Sequence, residues 1–395
     1  MKRSVVTTLS IVTLMLSPAC GVDASKPDQP AATVTQRLVD ANPVSVARAY
    51  LPLDLAFPAG VAAGRDVVFV GSPFEGRVAA YSRLRKTYIG GLPPPPSGFA
   101  LPFIMKSVGD DRVAVLDAGG FPSPKPFVPS TPTIYEYSYK YRPASGFTAE
   151  LVRTLSATGA TIGFSENAIK LDDGRYLIND AVLGSIWIVE TDGTVKPGLV
   201  PKTFEPQDAI PQTYFCDTMP LIQVGGIPFL FTDSTVPGIT GMAAREGILY
   251  FSASCAGAVY SIPLASLSDD REPWERAADI RLVSPKPEGV AVEELLDITF
   301  NPFAPHDPYV YAADALQLRV IRINVETGER QVVSDDPHLL NFPSSLSFAP
   351  PLGPSGPTPL FAVSNQQHRT PLLNDAITED MLQPPFLLTE ITVRH

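Results

Sequence analysis

Six recurrences of one short strand motif, the lack of any long helical period and a heavy proline load predict an all-β protein: a six-bladed β-propeller of four-stranded blades. The motif is an apolar strand that ends in a small or acidic residue and runs into a turn. It occurs at Val67–Ser72, Val113–Ala118, Tyr176–Ala181, Ile248–Ala253, Tyr309–Asp314 and Leu360–Asn365. With Gly71, Asp117, Asp180, Ser252, Asp314 and Asn365 taken as equivalents, the intervals are 46, 63, 72, 62 and 51 residues. Third strands follow, as in Gly184–Val189 and Gly257–Ile262, and a turn such as Glu190–Thr194 leads to an outer strand. Short strands recurring at such a period mark a radial array in which no blade buries its core alone. The chain carries 42 prolines in 395 residues, about twice the usual share of roughly 5%, which counts against a helical bundle because interior proline breaks helix hydrogen bonds. Two stacked β-sandwich domains are the competing architecture, but the repeat crosses the midpoint of the chain without a linker.

Along the chain, Lys2 and Arg3 precede an apolar run from Val5 to Leu16, the length of a signal-peptide core and too short to span a bilayer comfortably. Leu16-Ser17-Pro18-Ala19-Cys20-Gly21 then resembles the bacterial lipoprotein signal, in which the cysteine becomes the lipidated first residue of the mature chain. The leucine sits one place earlier than usual and Pro18 is uncommon there; ordinary secretion and a retained anchor are the alternatives. The expected organisation is a signal peptide over residues 1–19, a tether and lead-in strand over 20–45, and the propeller over 46–395. Prolines at 93–96, 122–132 and 350–359 fall where loops would cap the disk.

A formal charge of −11 and a pI near 4.9, with no basic run, exclude a nucleic-acid partner, since phosphate binding needs clustered Lys and Arg. Removing residues 1–19 takes away two bases and no acid, so membrane contact is expected only through the lipid on Cys20. The expected location is the bacterial cell envelope, periplasmic or surface, and a monomer is expected. With Cys20 lipidated, Cys216 and Cys255 remain as a disulfide candidate in an oxidising compartment, two separate buried thiols being the alternative.

In a propeller the start of each innermost strand and the end of each second strand share one face around the channel. The polar residues at those places are Glu75, Asp117, Glu166, Asn167, Asp180, Asp297, Asp314, Asn341, Asn365 and His368, an acidic rim. His338, before an inner strand, and His368, after a second strand, belong to that face, and a histidine beside a carboxylate suits general-base work. They stand as candidates against the alternative of exposed loop residues. No phosphate loop, no Gly-x-Ser-x-Gly elbow and no zinc-like cluster occurs, so no nucleotide cofactor is expected.

The stretch Ala168-Ile169-Lys170-Leu171-Asp172-Asp173-Gly174-Arg175-Tyr176-Leu177-Ile178-Asn179-Asp180, continuing to Gly193, resembles blades of the senescence-marker protein/gluconolactonase family and its strictosidine-synthase-like relatives. Residues 241–264 and 342–365 are also similar to blades of the yellow/royal-jelly family. The first resemblance implies one divalent cation in the channel, calcium or magnesium before zinc, activating water or polarising a lactone carbonyl. It carries ligand positions over to Glu166, Asn167 and Asp297. Two positions depart: the first-blade glutamate would fall in Phe57-Pro58-Ala59-Gly60, which offers no acid, and a fourth-blade asparagine is replaced by Thr240. The alternative is that Asn167 and Asp297 cap strand ends by hydrogen-bonding the backbone. The expectation is a metal-assisted hydrolase of a lactone or similar ester with His368 as base; the rival is a non-catalytic propeller binding a small ligand or a protein at the same mouth.

Overall fold

The computed structural model describes residues 45–120, 129–203, 208–213, 220–231, 238–253, 257–290, 292–353 and 356–393. The signal and tether, Cys20, Cys216 and Cys255 lie outside them. Within them the chain forms 26 strands, named in order from β1 (Ser45–Leu53).

Blade 1 comprises β2 (Val61–Ala63), β3 (Val67–Ser72), β4 (Arg77–Ser82) and β5 (Thr87–Gly91). Blade 2 comprises β6 (Pro102–Ser107), β7 (Arg112–Asp117), β8 (Thr133–Arg142) and β9 (Gly146–Ser156), and blade 3 β10 (Ala168–Lys170), β11 (Tyr176–Asp180), β12 (Ser185–Val189) and β13 (Val195–Leu199). A separate hairpin, β14 (Ile222–Val224) with β15 (Ile227–Phe229), precedes blade 4, which holds β16 (Ile239–Arg245), β17 (Ile248–Ala253), β18 (Ala258–Pro263) and β19 (Arg281–Ser284). Blade 5 is β20 (Leu295–Phe300), β21 (Tyr309–Asp314), β22 (Arg319–Asn324) and β23 (Arg330–Ser334). Blade 6 joins β24 (Pro343–Phe348), β25 (Pro359–Ser364) and β26 (Phe386–Val393) to β1. All pairings are antiparallel, and the six repeats read from the sequence are β3, β7, β11, β17, β21 and β25, the second strand of each blade.

Those second strands read as continuous apolar runs, not alternations, because a blade packs on a neighbour at each face. Every residue of β3, β11 and β25 is buried. The apolar clusters show the ring closing. Phe69 and Val78 of blade 1 meet Met105 and Val115 of blade 2; Leu116 meets Ile178 of blade 3; Leu177 meets Phe251 of blade 4. Tyr250 meets Ile298 of blade 5, Tyr311 meets Phe348 of blade 6, and Phe361 and Val363 return to Val61 and Val68.

Strand β1 locks this ring. β1 pairs with β26 from Ser45 opposite Val393 to Leu53 opposite Phe386, so the first described strand and the last share one blade. Tyr50, Leu51 and Leu53 are buried by it, each contributing about 1.5–3 kcal/mol of apolar burial. The hairpin β14–β15 lies over blades 5 and 6, with Ile222, Val224 and Phe229 packed on Val292, Leu316, Leu318 and Phe342. Asn374 fastens it, its Oδ1 accepting from Leu230 N at 3.0 Å and its Nδ2 donating to Pro228 O at 2.9 Å. No helix among the described residues is long and apolar enough to cross a membrane.

Candidate functional site

Asp297, third residue of the inner strand of blade 5, is the hub of the channel. It is fully buried, and an isolated carboxylate there would be prohibitive unless paired and hydrogen-bonded. Four donors from three other blades meet it. Lys106 Nζ of blade 2 lies 3.0 Å from Oδ1, and Asn167 Nδ2 of blade 3 donates to the same oxygen at 3.1 Å. Ser345 Oγ and Leu346 N of blade 6 donate to Oδ2 at 3.0 and 2.9 Å. Lys106 sits on the inner strand with an 18% exposed side chain; its stem reaches along the channel wall to place the ammonium on the buried acid.

Asn179 aims the blade 3 residues. Its Oδ1 accepts from Glu166 N at 3.0 Å and Asn167 N at 2.7 Å, and its Nδ2 donates to Ile239 O of blade 4 at 2.6 Å. This fixes the backbone just before β10 and ties it to the next blade. Asn167 Oδ1 is left buried without a hydrogen-bond partner. Glu166 beside it has a partly accessible surface, yet protein surrounds its carboxyl closely; burial first, and the Asp297 charge second, push it up to about 8. Glu294 is 2% exposed with an unpartnered Oε2, and burial, then Glu166 and Asp314, raise it well above the ordinary carboxylate range. Next to it Glu293 and Asp314 are held by arginines: Arg319 Nε bonds Asp314 Oδ2 at 2.7 Å, and Arg330 pairs with Glu293.

The remaining rim positions do different work. Asp117 accepts from Ala100 N, Leu101 N and Gly119 N at 2.7, 2.7 and 3.1 Å, closing the loop into β6. Asp180 does the same in blade 3, accepting from Gly163, Phe164, Val182 and Leu183 N; burial still raises it to about 6. Asn365 Oδ1 accepts from Gln367 N at 3.1 Å. Glu75 is exposed and pairs with Arg77 at 3.1 Å. These side chains brace the turns that carry the channel residues. Asn341 and His338 line a cavity between blades 5 and 6, His338 exposed.

His368 is placed away from the acids. It is fully buried, stacked on Phe342 at 5.5 Å between ring centroids and 17° between planes, and neither ring nitrogen has a hydrogen-bond partner. Burial, then the Arg369 charge, push it down to about 3. A neutral ring without a hydrogen-bond partner suits packing beneath the hairpin; base catalysis needs access to a proton.

The donor set does not fit the divalent cation that the family resemblance implies. At the first-blade position Ala59 is 1% exposed, and a Cβ on Gly60 would stand 2.5 Å from Phe103 O. Thr240 Oγ1 is committed to Leu295 O at 2.9 Å. Both oxygens of Asp297 already accept protein hydrogens, and the Lys106 ammonium occupies the flank where a second positive charge would be repelled. Among the described residues, no group of three or more His, Cys, Asp or Glu side chains is arranged to hold a metal. Lys106, Asn179 and Ser345 escaped the sequence reading because each lies inside a strand whose pattern packing explains, and Glu294 because it directly precedes β20 with no local signal that it is buried.

No described protein family and no curated protein sequence matches this chain. Solved structures do. A luciferin-regenerating enzyme superposes with a TM-score of 0.51 at 13% identity, over 88% of this chain and 95% of that one. A gluconolactonase from Xanthomonas campestris superposes at 0.50 and 11% identity, over 93% of this chain and 99% of that one. The calcium-binding protein regucalcin from Agrobacterium tumefaciens gives 0.49 at 12% identity, over 89% and 96%. The first two likenesses show that the chain has the fold of the gluconolactonase-type six-bladed propellers. The likeness to the royal-jelly group rests on the sequence stretches alone.

Proposed function

We propose that this protein is an exported, lipid-anchored propeller that takes a small polar molecule into the channel mouth and hydrolyses a lactone or similar ester there. One observation carries the reading: Asn167 Oδ1 is a buried acceptor left open beside a carboxyl that exchanges its proton near neutral pH, Glu166, and an ammonium, Lys106. A buried acceptor without a donor costs stability that a substrate hydroxyl would repay.

In this scheme Glu166, as the carboxylate, takes a proton from water while the water oxygen bonds to the carbonyl carbon. The carbonyl π pair moves onto oxygen, where the Lys106 ammonium is the available positive charge. Collapse of the tetrahedral species breaks the bond to the ring oxygen, which takes the proton back from Glu166, leaving a hydroxy acid. Asp297 fixes Lys106 and Asn167 and does not itself react. The metal expected from the resemblance takes no step here.

Acid release from a panel of γ- and δ-lactones and aryl esters tests the reading, on wild type and Glu166→Gln, with and without chelator. Turnover that rises with pH through about 8, falls at least about a hundredfold in Glu166→Gln and ignores chelator is the expected result. A wild-type protein that hydrolyses none of them would move the reading to a non-catalytic binding propeller. Chelator-sensitive turnover would return the metal to the mechanism.

A further inference from the structure

The rim between blades 5 and 6 holds a second polar site that the channel chemistry does not use. A cavity of about 320 Å³ opens there, walled by Leu318, Leu339 and Leu387 on the apolar side and by Asn341, Ser364 and Arg369 on the polar side. Ser364, which ends β25, is 3% exposed, and its Oγ is buried with no hydrogen-bond partner. Arg369 sits in the short turn Gln367–Arg369, its backbone fixed by N to Gln366 O at 2.8 Å and by Met381 N to its own carbonyl at 2.8 Å.

The guanidinium of Arg369 is unusual in this chain. Its Nε is buried and unpartnered, and burial alone depresses its pKa, with no acid contributing. Arg77, Arg271, Arg276, Arg319 and Arg330 each pair with a carboxylate. Arg83, buried without an acid at its head, also leaves its Nε unpartnered but donates through Nη1 to the carbonyls of Gly64, Arg65 and Pro350. Arg369 has neither kind of partner among the described residues, in a protein of net charge −11. A partly desolvated cation left without an acceptor is destabilising, and the cavity beside it is where an acceptor would fit.

We propose that this cavity binds a small organic monocarboxylate, its carboxylate on the Arg369 guanidinium and the Ser364 hydroxyl and its apolar body on Leu318, Leu339 and Leu387. A planar guanidinium matches a carboxylate in two parallel hydrogen bonds. A single fixed cation matches one negative charge. At the ~30 Å³ that a water takes in liquid, the volume holds a ligand of roughly ten heavy atoms.

Isothermal titration and thermal melts of the full mature chain test this with three probes: 4-methylvalerate, its neutral amide and inorganic phosphate. The carboxylate should bind at one site and raise the melting temperature, with the amide at least about tenfold weaker. Arg369→Gln should lose at least about tenfold in affinity and Ser364→Ala several-fold, each melting no lower than wild type without ligand. No binding of 4-methylvalerate by wild type at about 10 mM would overturn the proposal. So would equal affinity for the amide, unchanged affinity in Arg369→Gln, or tighter binding of phosphate than of carboxylate. Should Arg369→Gln fail to fold, Ser364→Ala and the amide comparison on wild type decide the matter.

Discussion

Replacing Lys106 by methionine keeps the length and apolar stem of the side chain and removes only the charge that faces Asp297. Asp297 is fully buried and keeps three donors, Asn167, Ser345 and the Leu346 amide. Removing one member of a buried ion pair costs about 3–5 kcal/mol; with three hydrogen bonds retained, the lower end, about 3 kcal/mol, is expected. Unfolding entropy of about 2.1 cal/mol/K per residue over the roughly 320 described residues gives ~0.7 kcal/mol/K, so the midpoint should fall by about 4 °C. Scanning calorimetry at two salt concentrations measures it, and the shift should persist in high salt because the pair is shielded from counterions. Asp297→Asn and the double variant complete a cycle, in which the double variant should lose clearly less than the two single losses together. A Lys106→Met protein that melts within about 1 °C of wild type, or strictly additive losses, would refute the assignment of Lys106 as the charge that balances Asp297.

Other consequences follow from the same structure. His368 is held at about 3 against an ordinary 6.5, so below pH 6.5 the unfolded chain binds a proton that the folded chain refuses, and stability falls as pH drops from about 6.5 toward 3; His368→Phe should flatten that part of a denaturation-versus-pH curve. Glu166 has the opposite sign: raised from 4.5 to about 8, it keeps its proton in the folded state across that window, so its contribution to stability declines as pH rises from about 4.5 to 8, and Glu166→Gln should remove the decline. A chain beginning at residue 54 lacks β1, exposes the edge of β26, and should aggregate where a chain beginning at residue 44 stays soluble, as light scattering after refolding would show. Cys20→Ser should abolish incorporation of a labelled fatty acid and release the protein from the membrane fraction, if the lipoprotein signal is read as proposed.

Much of the architecture was legible because a propeller repeats one local problem six times. A strand buried on both faces must be apolar throughout, and the turn after it must be closed by a small or acidic residue; Val113–Asp117 and Tyr176–Asp180 state both requirements in six or fewer letters. The same logic made Asp117, Asp180 and Asn365 look like site residues, and the structure shows each accepting backbone hydrogens to close its own turn. Local sequence cannot separate a carboxylate that caps a turn from one that faces a channel, since both stand at the end of a strand.

What the sequence by itself determined was the blade count, the second strand of each blade and the absence of any acid in residues 57–60, because those depend on neighbours in the chain. What only the tertiary structure decided was which residues meet on the axis. Asp297 is joined there by Lys106, Asn167 and Ser345, from inner strands or their lead-ins on three other blades. The length of a lysine stem sets the charge of the channel, and no spacing along the chain encodes a contact between residues 106 and 297. His368 turned inward for the same reason: the hairpin β14–β15, contributed from between blades 3 and 4, covers it against Phe342 and withholds the water that an imidazole needs to work as a base.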